Sequence, residues 1–75
     1  MNSTVCVYDK NGHPVKNKKV SISISGIISG GMAEGFTDRN GCAEISHSSK
    51  GTAKVFVNGH HVCTFTVPGR TSVTI

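Results

Sequence analysis

The feature that most constrains the fold is an alternation of apolar and polar residues, repeatedly broken by Asn-Gly dipeptides. Between positions 19 and 25, Val20, Ile22 and Ile24 alternate with three serines. Such a period of two places the apolar side chains on one face of a strand and the serines on the other. Asn and Gly tolerate the positive φ angles of tight hairpin turns, and the dipeptide occurs at positions 11–12, 40–41 and 58–59. The pattern therefore predicts β-hairpins.

The same alternation recurs along the chain at intervals of about 8–12 residues, which is typical of a β-sandwich or a small barrel. No helix that could cross over between parallel strands fits between any two segments, so we expect mainly antiparallel pairing. The sequence predicts a single all-β domain over residues 1–75, with about seven strands in an immunoglobulin-like or prealbumin-like sandwich. The predicted strands are residues 3–9, 19–25, 32–37, 42–46, 52–57, 60–67 and 71–75.

The small size of the chain points to association with something else. A domain of 75 residues buries only about 60% of the surface that its unfolded chain exposes. Small domains are commonly stabilised by oligomerisation, docking, disulfides or metals. Because unpaired strand edges readily pair with another chain, we expect a homo-oligomer.

Three segments resemble a known group of domains. Residues 7–15 (VYDKNGHPV), 36–45 (FTDRNGCAEI) and 51–59 (GTAKVFVNG) are similar to bacterial immunoglobulin-like repeats of the invasin and intimin type. They are also similar to carboxypeptidase regulatory-like (prealbumin-like) domains. The resemblance implies a seven-stranded sandwich that serves as a spacer, an adhesive module or an accessory domain. Some of these relatives carry a Lys–Asn isopeptide crosslink, but no lysine lies in the first predicted strand here, so that feature is not carried over.

Catalytic patterns are weak. Ser29 is followed by Gly30, but Ile27 stands where the nucleophile-elbow pattern requires a glycine. Both aspartates lie at predicted turn entrances, where their side chains are expected to cap backbone N–H groups. The two glutamates, Glu34 and Glu44, could face each other across neighbouring strands, but two solvent-facing charges are the simpler interpretation. We therefore predict that the protein is not an enzyme.

Metal or redox chemistry is the main chemical alternative. His61 and Cys63 lie two residues apart in one predicted strand and are therefore expected to share a face, and Cys42 or Cys6 could complete a thiolate–imidazole site with them. The alternative function is a small metal-responsive or redox-responsive protein. However, no C-x2-C pair exists, and isolated cysteines usually behave as small buried hydrophobic residues. We predict no cofactor, and the sequence leaves open whether any two of the three cysteines form a disulfide.

The leading hypothesis is a non-enzymatic binding or structural module that contacts a protein or glycan partner through a loop or an edge strand. Ile27 and Ile28, in the glycine-rich segment 26–31, and Met32 are the predicted contact residues. A homo-oligomeric scaffold without a ligand is a further alternative. Localisation is left open: cytoplasmic if Met1 is the native start, extracellular or surface-bound if the domain is excised from a longer protein.

Two classes of partner are not expected. The lysines near the start of the chain have no aromatic residues interleaved with them, so the stacking half of a site for single-stranded nucleic acid is missing. No apolar stretch is long enough to span a bilayer as a helix. We therefore predict neither nucleic-acid binding nor a membrane span.

Overall fold

The computed structural model describes residues 2–25, 32–48 and 50–75. The described part of the chain contains seven β-strands and no helix, which confirms the predicted all-β fold class. The strands are β1 (Asn2–Tyr8), β2 (Lys19–Ile24), β3 (Met32–Phe36), β4 (Cys42–Ser46), β5 (Gly51–Val57), β6 (His60–Val67) and β7 (Arg70–Thr74).

The strands form two sheets that are mainly antiparallel, compatible with a sandwich-like fold. The three-stranded sheet has the order β4-β1-β7, and the four-stranded sheet has the order β3-β2-β5-β6. β1 and β7 pair in parallel, and every other pair in the described residues is antiparallel. Of the four antiparallel pairs, β2–β3 and β5–β6 join strands that follow each other in the sequence, whereas β1–β4 and β2–β5 join strands that do not. The predicted mainly antiparallel pairing is confirmed.

The core lies between the two sheets and is built from the predicted alternating residues. In β2, Val20, Ile22 and Ile24 are all buried and the serines between them are only half-buried. The other buried residues of the core cluster are also Val, Ile or Ala, and β-branched residues pack well on a pleated surface. Truncation of the fully buried Ile22 or Ile45 to alanine is expected to cost about 2–5 kcal/mol.

Two loops repeat the same five-residue turn, Asp-x-Asn-Gly-x. In Asp9–His13 and in Asp38–Cys42, the aspartate Oδ1 accepts hydrogen bonds from the N–H groups two and four residues later, at distances of 2.8–3.1 Å. The glycines Gly12 and Gly41 have φ angles of 83° and 77°, which cost a glycine little. The prediction that both aspartates cap turn backbones is confirmed.

The second of these turns packs tightly against the first loop. The N–H of Val7 donates to the carbonyl oxygen of Gly41 at 2.7 Å. A Cβ added at Gly41 would lie 2.7 Å from Cβ of Pro14 and 2.8 Å from the carbonyl oxygen of Val7. The glycine is therefore needed both for its φ angle and for its lack of a side chain. The contact holds the end of β1 beside the start of β4.

The third Asn-Gly pair makes a different turn. Asn58 and Gly59 have φ angles of 51° and 84° and form a two-residue loop between β5 and β6. Two central residues with positive φ are the mark of the type I′ hairpin, whose twist matches that of the flanking strands. The turn thereby fixes the register with which β6 joins the edge of the four-stranded sheet.

Candidate interaction site

The structure joins two of the three cysteines in a disulfide, Cys6–Cys42. The sequence left open which pair, if any, would form, because it does not fix the register between strands. In the fold, Cys6 on β1 lies directly opposite Cys42 on β4. Nη2 of Arg70 lies 3.5 Å from the Cys6 sulfur and covers it on the outer face of the three-stranded sheet. A bridged Cys42 has no thiolate to offer a metal.

The predicted metal ligands are not brought together. Cys42 belongs to the three-stranded sheet, whereas His61 and Cys63 lie on β6 in the other sheet. A β-bulge in β6 leaves Val62 without its own partner on β5. His61 pairs with Phe56, and Cys63 pairs with Val55, the residue that precedes Phe56. The extra residue places His61 and Cys63 on opposite faces, contrary to the prediction that they share one. Among the described residues, no three His, Cys, Asp or Glu side chains cluster as metal ligands would.

Cys63 is the free cysteine of the described chain and is half-buried against the core. Burial raises the pKa of its thiol above the ordinary value, and a hydrogen bond with the side chain of Thr71 on β7 opposes that rise. Because the thiolate is the reactive form of cysteine, this environment disfavours nucleophilic chemistry at neutral pH.

The two glutamates do not form an acid–base pair. Glu34 lies on the outer face of the four-stranded sheet, where Oε2 is 3.2 Å from Nζ of Lys19. Glu44 lies on the other sheet, where Oε1 accepts a hydrogen bond from the side-chain amide of Asn2 at 3.0 Å. Both glutamates are exposed, which agrees with the simpler interpretation of two solvent-facing charges, and the alternative that they face each other is excluded because β3 and β4 belong to different sheets.

One pair of side chains with nucleophile-and-base geometry was missed by the sequence reasoning. Oγ of Ser3 lies 2.7 Å from Nε2 of His47, and the N–H of Gly69 donates to the same oxygen at 3.2 Å. Only the pairing of β1 with β4 brings these distant residues together. Ser3 is 1% exposed, so a substrate cannot reach its hydroxyl. The contact instead ties the first strand to the β6–β7 turn.

The largest exposed apolar side chains of the strands lie on the outer face of the four-stranded sheet. Met32 is 70% exposed and Phe36 is 65% exposed, and both point outward from β3. Phe56 on β5 is half-buried on the same face, and its ring centroid is 5.4 Å from that of His61. We call this surface, with Met32, Phe36 and Phe56 as its apolar members, the outer face.

Polar residues separate the apolar members of the outer face. Ser21 and Ser23 on β2 lie between β3 and β5, and Ser23 pairs with Met32 on one side and with Lys54 on the other. Ser21, Met32, Ala33 and Glu34 line a shallow depression of about 290 Å³. The outer face thus combines apolar side chains, hydroxyl groups and a few charges, as interaction surfaces commonly do.

The predicted contact residues fare differently. Met32 is strongly exposed on the outer face. Ile27 and Ile28 lie outside the described residues. The aromatic members, Phe36 and Phe56, were not singled out from the sequence, since only their position on the same side of one sheet, on β3 and β5 with β2 between them, distinguishes them from core residues.

Neither the protein-family models nor the curated proteins compared with the chain give a match. Over the described residues, the structure has no helix of the length and apolar character needed to cross a membrane.

Proposed function

We propose that this protein is a non-enzymatic interaction module that binds a protein partner through the outer face. The observation that carries the proposal is the placement of Met32 and Phe36, which are 70% and 65% exposed on one face of one strand. Exposed large apolar residues that occur singly are common on small soluble domains, whereas Met32 and Phe36 share one face of one strand with only Glu34 between them on that face, and such surfaces mark contact sites.

The energetics favour this surface as a contact. Met and aromatic residues are enriched at protein interfaces, and they supply many of the residues whose loss weakens binding most. Complete burial of a Met or Phe side chain is worth about 1.5–3 kcal/mol each. Because Met32 and Phe36 are still exposed in the isolated chain, most of this favourable free energy of burial can be gained when a partner binds.

The charges favour an apolar partner segment with acidic residues. Lys54 lies beside the apolar members and forms no ion pair among those found in the described residues, whereas Lys19 is paired with Glu34. The whole chain carries a net charge of +4. Electrostatic complementarity therefore favours encounter with an acidic surface, and the apolar contacts supply most of the affinity.

The resemblance to adhesive and accessory sandwich domains supports the same interpretation, because those domains act through their surfaces. The resemblance remains a prediction, and so do the two alternatives of a homo-oligomeric scaffold without a ligand and of a glycan partner. The metal-responsive alternative has little support, since Cys42 is bridged and His61 and Cys63 point to opposite faces.

A defined peptide can test the proposal. The probe is a synthetic peptide of alternating leucine and glutamate, compared with a peptide in which lysine replaces glutamate. Amide NMR spectra of the protein should shift at Met32, Phe36 and Phe56 with the acidic peptide. The double variant Met32→Ser/Phe36→Ser should lose this binding by at least about tenfold, if burial of the two side chains contributes as expected.

Ile75→Ser is the matched control, because Ile75 is the remaining large apolar residue that is markedly exposed in the described chain and it lies outside the outer face. It should bind the acidic peptide as the unaltered protein does. Peptide shifts confined to another surface, or binding that the double variant leaves unchanged, would contradict the proposal. Binding of an oligosaccharide panel at the outer face, with no response to either peptide, would replace the protein partner by a glycan.

A further inference from the structure

We infer that two copies of this chain associate by antiparallel pairing of β6 with β6, which joins their four-stranded sheets into one sheet of eight strands. The two-fold axis would pass through the middle of β6, between Cys63 and Phe65. The inference concerns a strand edge and is independent of the partner proposed for the outer face.

The edge strands of the two sheets differ in composition. The two sheets end in four edge strands within the described residues. Three of them carry a charged residue, namely Glu34 in β3, Glu44 in β4 and Arg70 in β7. Charged residues on edge strands discourage pairing with other chains. β6 contains no Lys, Arg, Asp, Glu or Pro, and its eight residues make it the longest strand, spanning about 26 Å.

Part of the backbone of β6 points away from the rest of its sheet. Along an antiparallel strand, the N–H and C=O groups point alternately toward one neighbour and toward the other. Val57 and His60 flank the two-residue turn and direct their backbone groups toward each other. Every second residue of β5 counted from Val57 also directs its groups toward β6, and the partner of Phe65 is one of them. Phe65 therefore directs its own backbone groups toward β5. The residues before and after Phe65, Thr64 and Thr66, therefore direct their backbone groups away from β5. Between the bulge at Val62 and the end of β6 at Val67, these groups form a short row that a further strand can bond.

The side of the molecule that carries β6 is less well covered than the opposite side. On the opposite side β3 meets β4 closely, since a Cβ on Gly35 would lie 3.2 Å from the carbonyl oxygen of Glu44. On the β6 side, Val62, Cys63 and Phe65 pack against the core but remain half-exposed. A partner strand along β6 would cover these three side chains and bond the free backbone groups at the same time.

A second copy fits this edge better than an unrelated segment. An antiparallel pair of identical strands is related by a two-fold axis, so each backbone group that one copy offers meets its complement on the other. Two copies that each carry a charge of +4 repel least where they meet at an uncharged strand. With the axis at Thr64, this residue would lie across from its own copy. Phe65 would lie across from Cys63 of the second copy and diagonally opposite its own copy, and directly opposed cross-strand pairs each contribute about 0.2–1 kcal/mol.

The test is the molar mass in solution, measured by sedimentation velocity and by light scattering after size exclusion, from about 10 µM to about 1 mM, which brackets weak association. All samples carry Cys63→Ser, which excludes a covalent dimer through that thiol. The parent protein should dimerise in this range. Thr64→Lys, which places a charge in the middle of the free edge, should raise the dissociation constant at least about tenfold.

Thr52→Lys is the matched control. Thr52 is exposed on the same face of the same sheet and pairs with Thr66, but its strand β5 is bonded on both sides. It adds the same charge without touching the edge, and it should leave dimerisation unchanged. Thr64→Pro is a second edge variant, because it removes an N–H that β5 does not use. Circular dichroism verifies that each variant is folded.

A parent protein that stays monomeric at the highest concentration would overturn the inference. So would a dimer that Thr64→Lys and Thr52→Lys weaken equally, or one with no slowing of amide exchange at Thr64 as the concentration rises. The Met32→Ser/Phe36→Ser variant should dimerise normally. Loss of peptide binding in this variant therefore tests the outer face, and loss of dimerisation in the Thr64 variants tests the β6 edge, so that either proposal can fail without the other.

Discussion

Gly41 and Gly12 offer a direct comparison of backbone strain with close packing. They occupy the same position of the repeated Asp-x-Asn-Gly-x turn, with φ angles of 77° and 83°. A Cβ on Gly12 would meet nothing within 4 Å, whereas one on Gly41 would lie 2.7 Å from Cβ of Pro14 and 2.8 Å from the carbonyl oxygen of Val7. Substitution by alanine therefore adds strain at both positions and a steric clash only at Gly41.

The expected magnitudes follow from these contacts. A left-handed conformation costs an alanine about 1–2 kcal/mol, and this cost applies to both variants. The clash at Gly41 involves a proline ring and a carbonyl oxygen that already accepts a hydrogen bond from Val15 at 2.9 Å. Because neither can move freely, overpacking should add about 1–3 kcal/mol. Gly41→Ala should lower the free energy of unfolding by about 2–5 kcal/mol, and Gly12→Ala by about 1–2 kcal/mol.

Thermal and urea denaturation followed by circular dichroism measure the difference. For a domain of this size, 1 kcal/mol shifts Tm by about 4–8 °C, so the Tm of Gly41→Ala should lie at least about 4 °C below that of Gly12→Ala. Gly59→Ala is a further open control, since its φ is 84° and nothing lies within 4 Å of an added Cβ. Equal losses at positions 12 and 41 would refute the packing of the second turn against Pro14.

Three further predictions concern single side chains. Ser3→Ala removes the acceptor for the Gly69 N–H and should lower the free energy of unfolding by about 1–3 kcal/mol, measured by urea denaturation. The pKa of Asp9 lies below the ordinary 3.8, chiefly because its carboxylate accepts the His13 N–H. Its contribution to stability is therefore complete above that value and is lost as the pH falls through the lower, folded pKa, which titration by carbon NMR and the Asp9→Asn variant can follow. Burial raises the pKa of Cys63, so iodoacetamide should label it more slowly in the folded protein than in urea at the same mildly alkaline pH.

Each of these predictions has its own control and its own contrary result. Ser46→Ala removes an exposed hydroxyl that bonds Asn2, and it should change stability by less than about 0.5 kcal/mol. A loss as large as that of Ser3→Ala would remove the special role of the buried serine. An Asp9 titration midpoint at or above 3.8 would contradict the turn geometry. Equal labelling rates in folded and unfolded protein would contradict the burial of Cys63.

The strands and turns were predictable because their signals are local. The period of two in β2 and the Asn-Gly pair at 58–59 depend on residues that are neighbours in sequence. Both aspartate caps were predictable for the same reason, since Asp9 and Asp38 bond N–H groups only two and four residues ahead. The predicted strand bounds match the observed ones for β4 and β6 and differ by one residue at one or both ends of each of the other strands.

The pairing of distant residues was not predictable. The order β4-β1-β7 joins strands that are far apart in sequence, and it alone brings Cys6 to Cys42. The bulge in β6 inserts one residue against β5, and a bulge reverses the faces of the residues on its two sides. The prediction for His61 and Cys63 failed for that reason, since it assumed an unbroken alternation along the strand.

The two sheets differ in what they leave open to other molecules. On the three-stranded sheet, the side that points away from the core carries the Cys6–Cys42 bridge and the side chain of Arg70. The four-stranded sheet carries the exposed Met32 and Phe36 on β3 and the uncharged edge on β6. β3 and β6 lie three strand spacings apart, about 14 Å. A partner segment bound over the exposed side chains of β3 therefore does not cover the free edge of β6. Pairing through β6 would therefore leave both outer faces free on the same side of one sheet, and a ligand with two acidic segments could bind both copies at once.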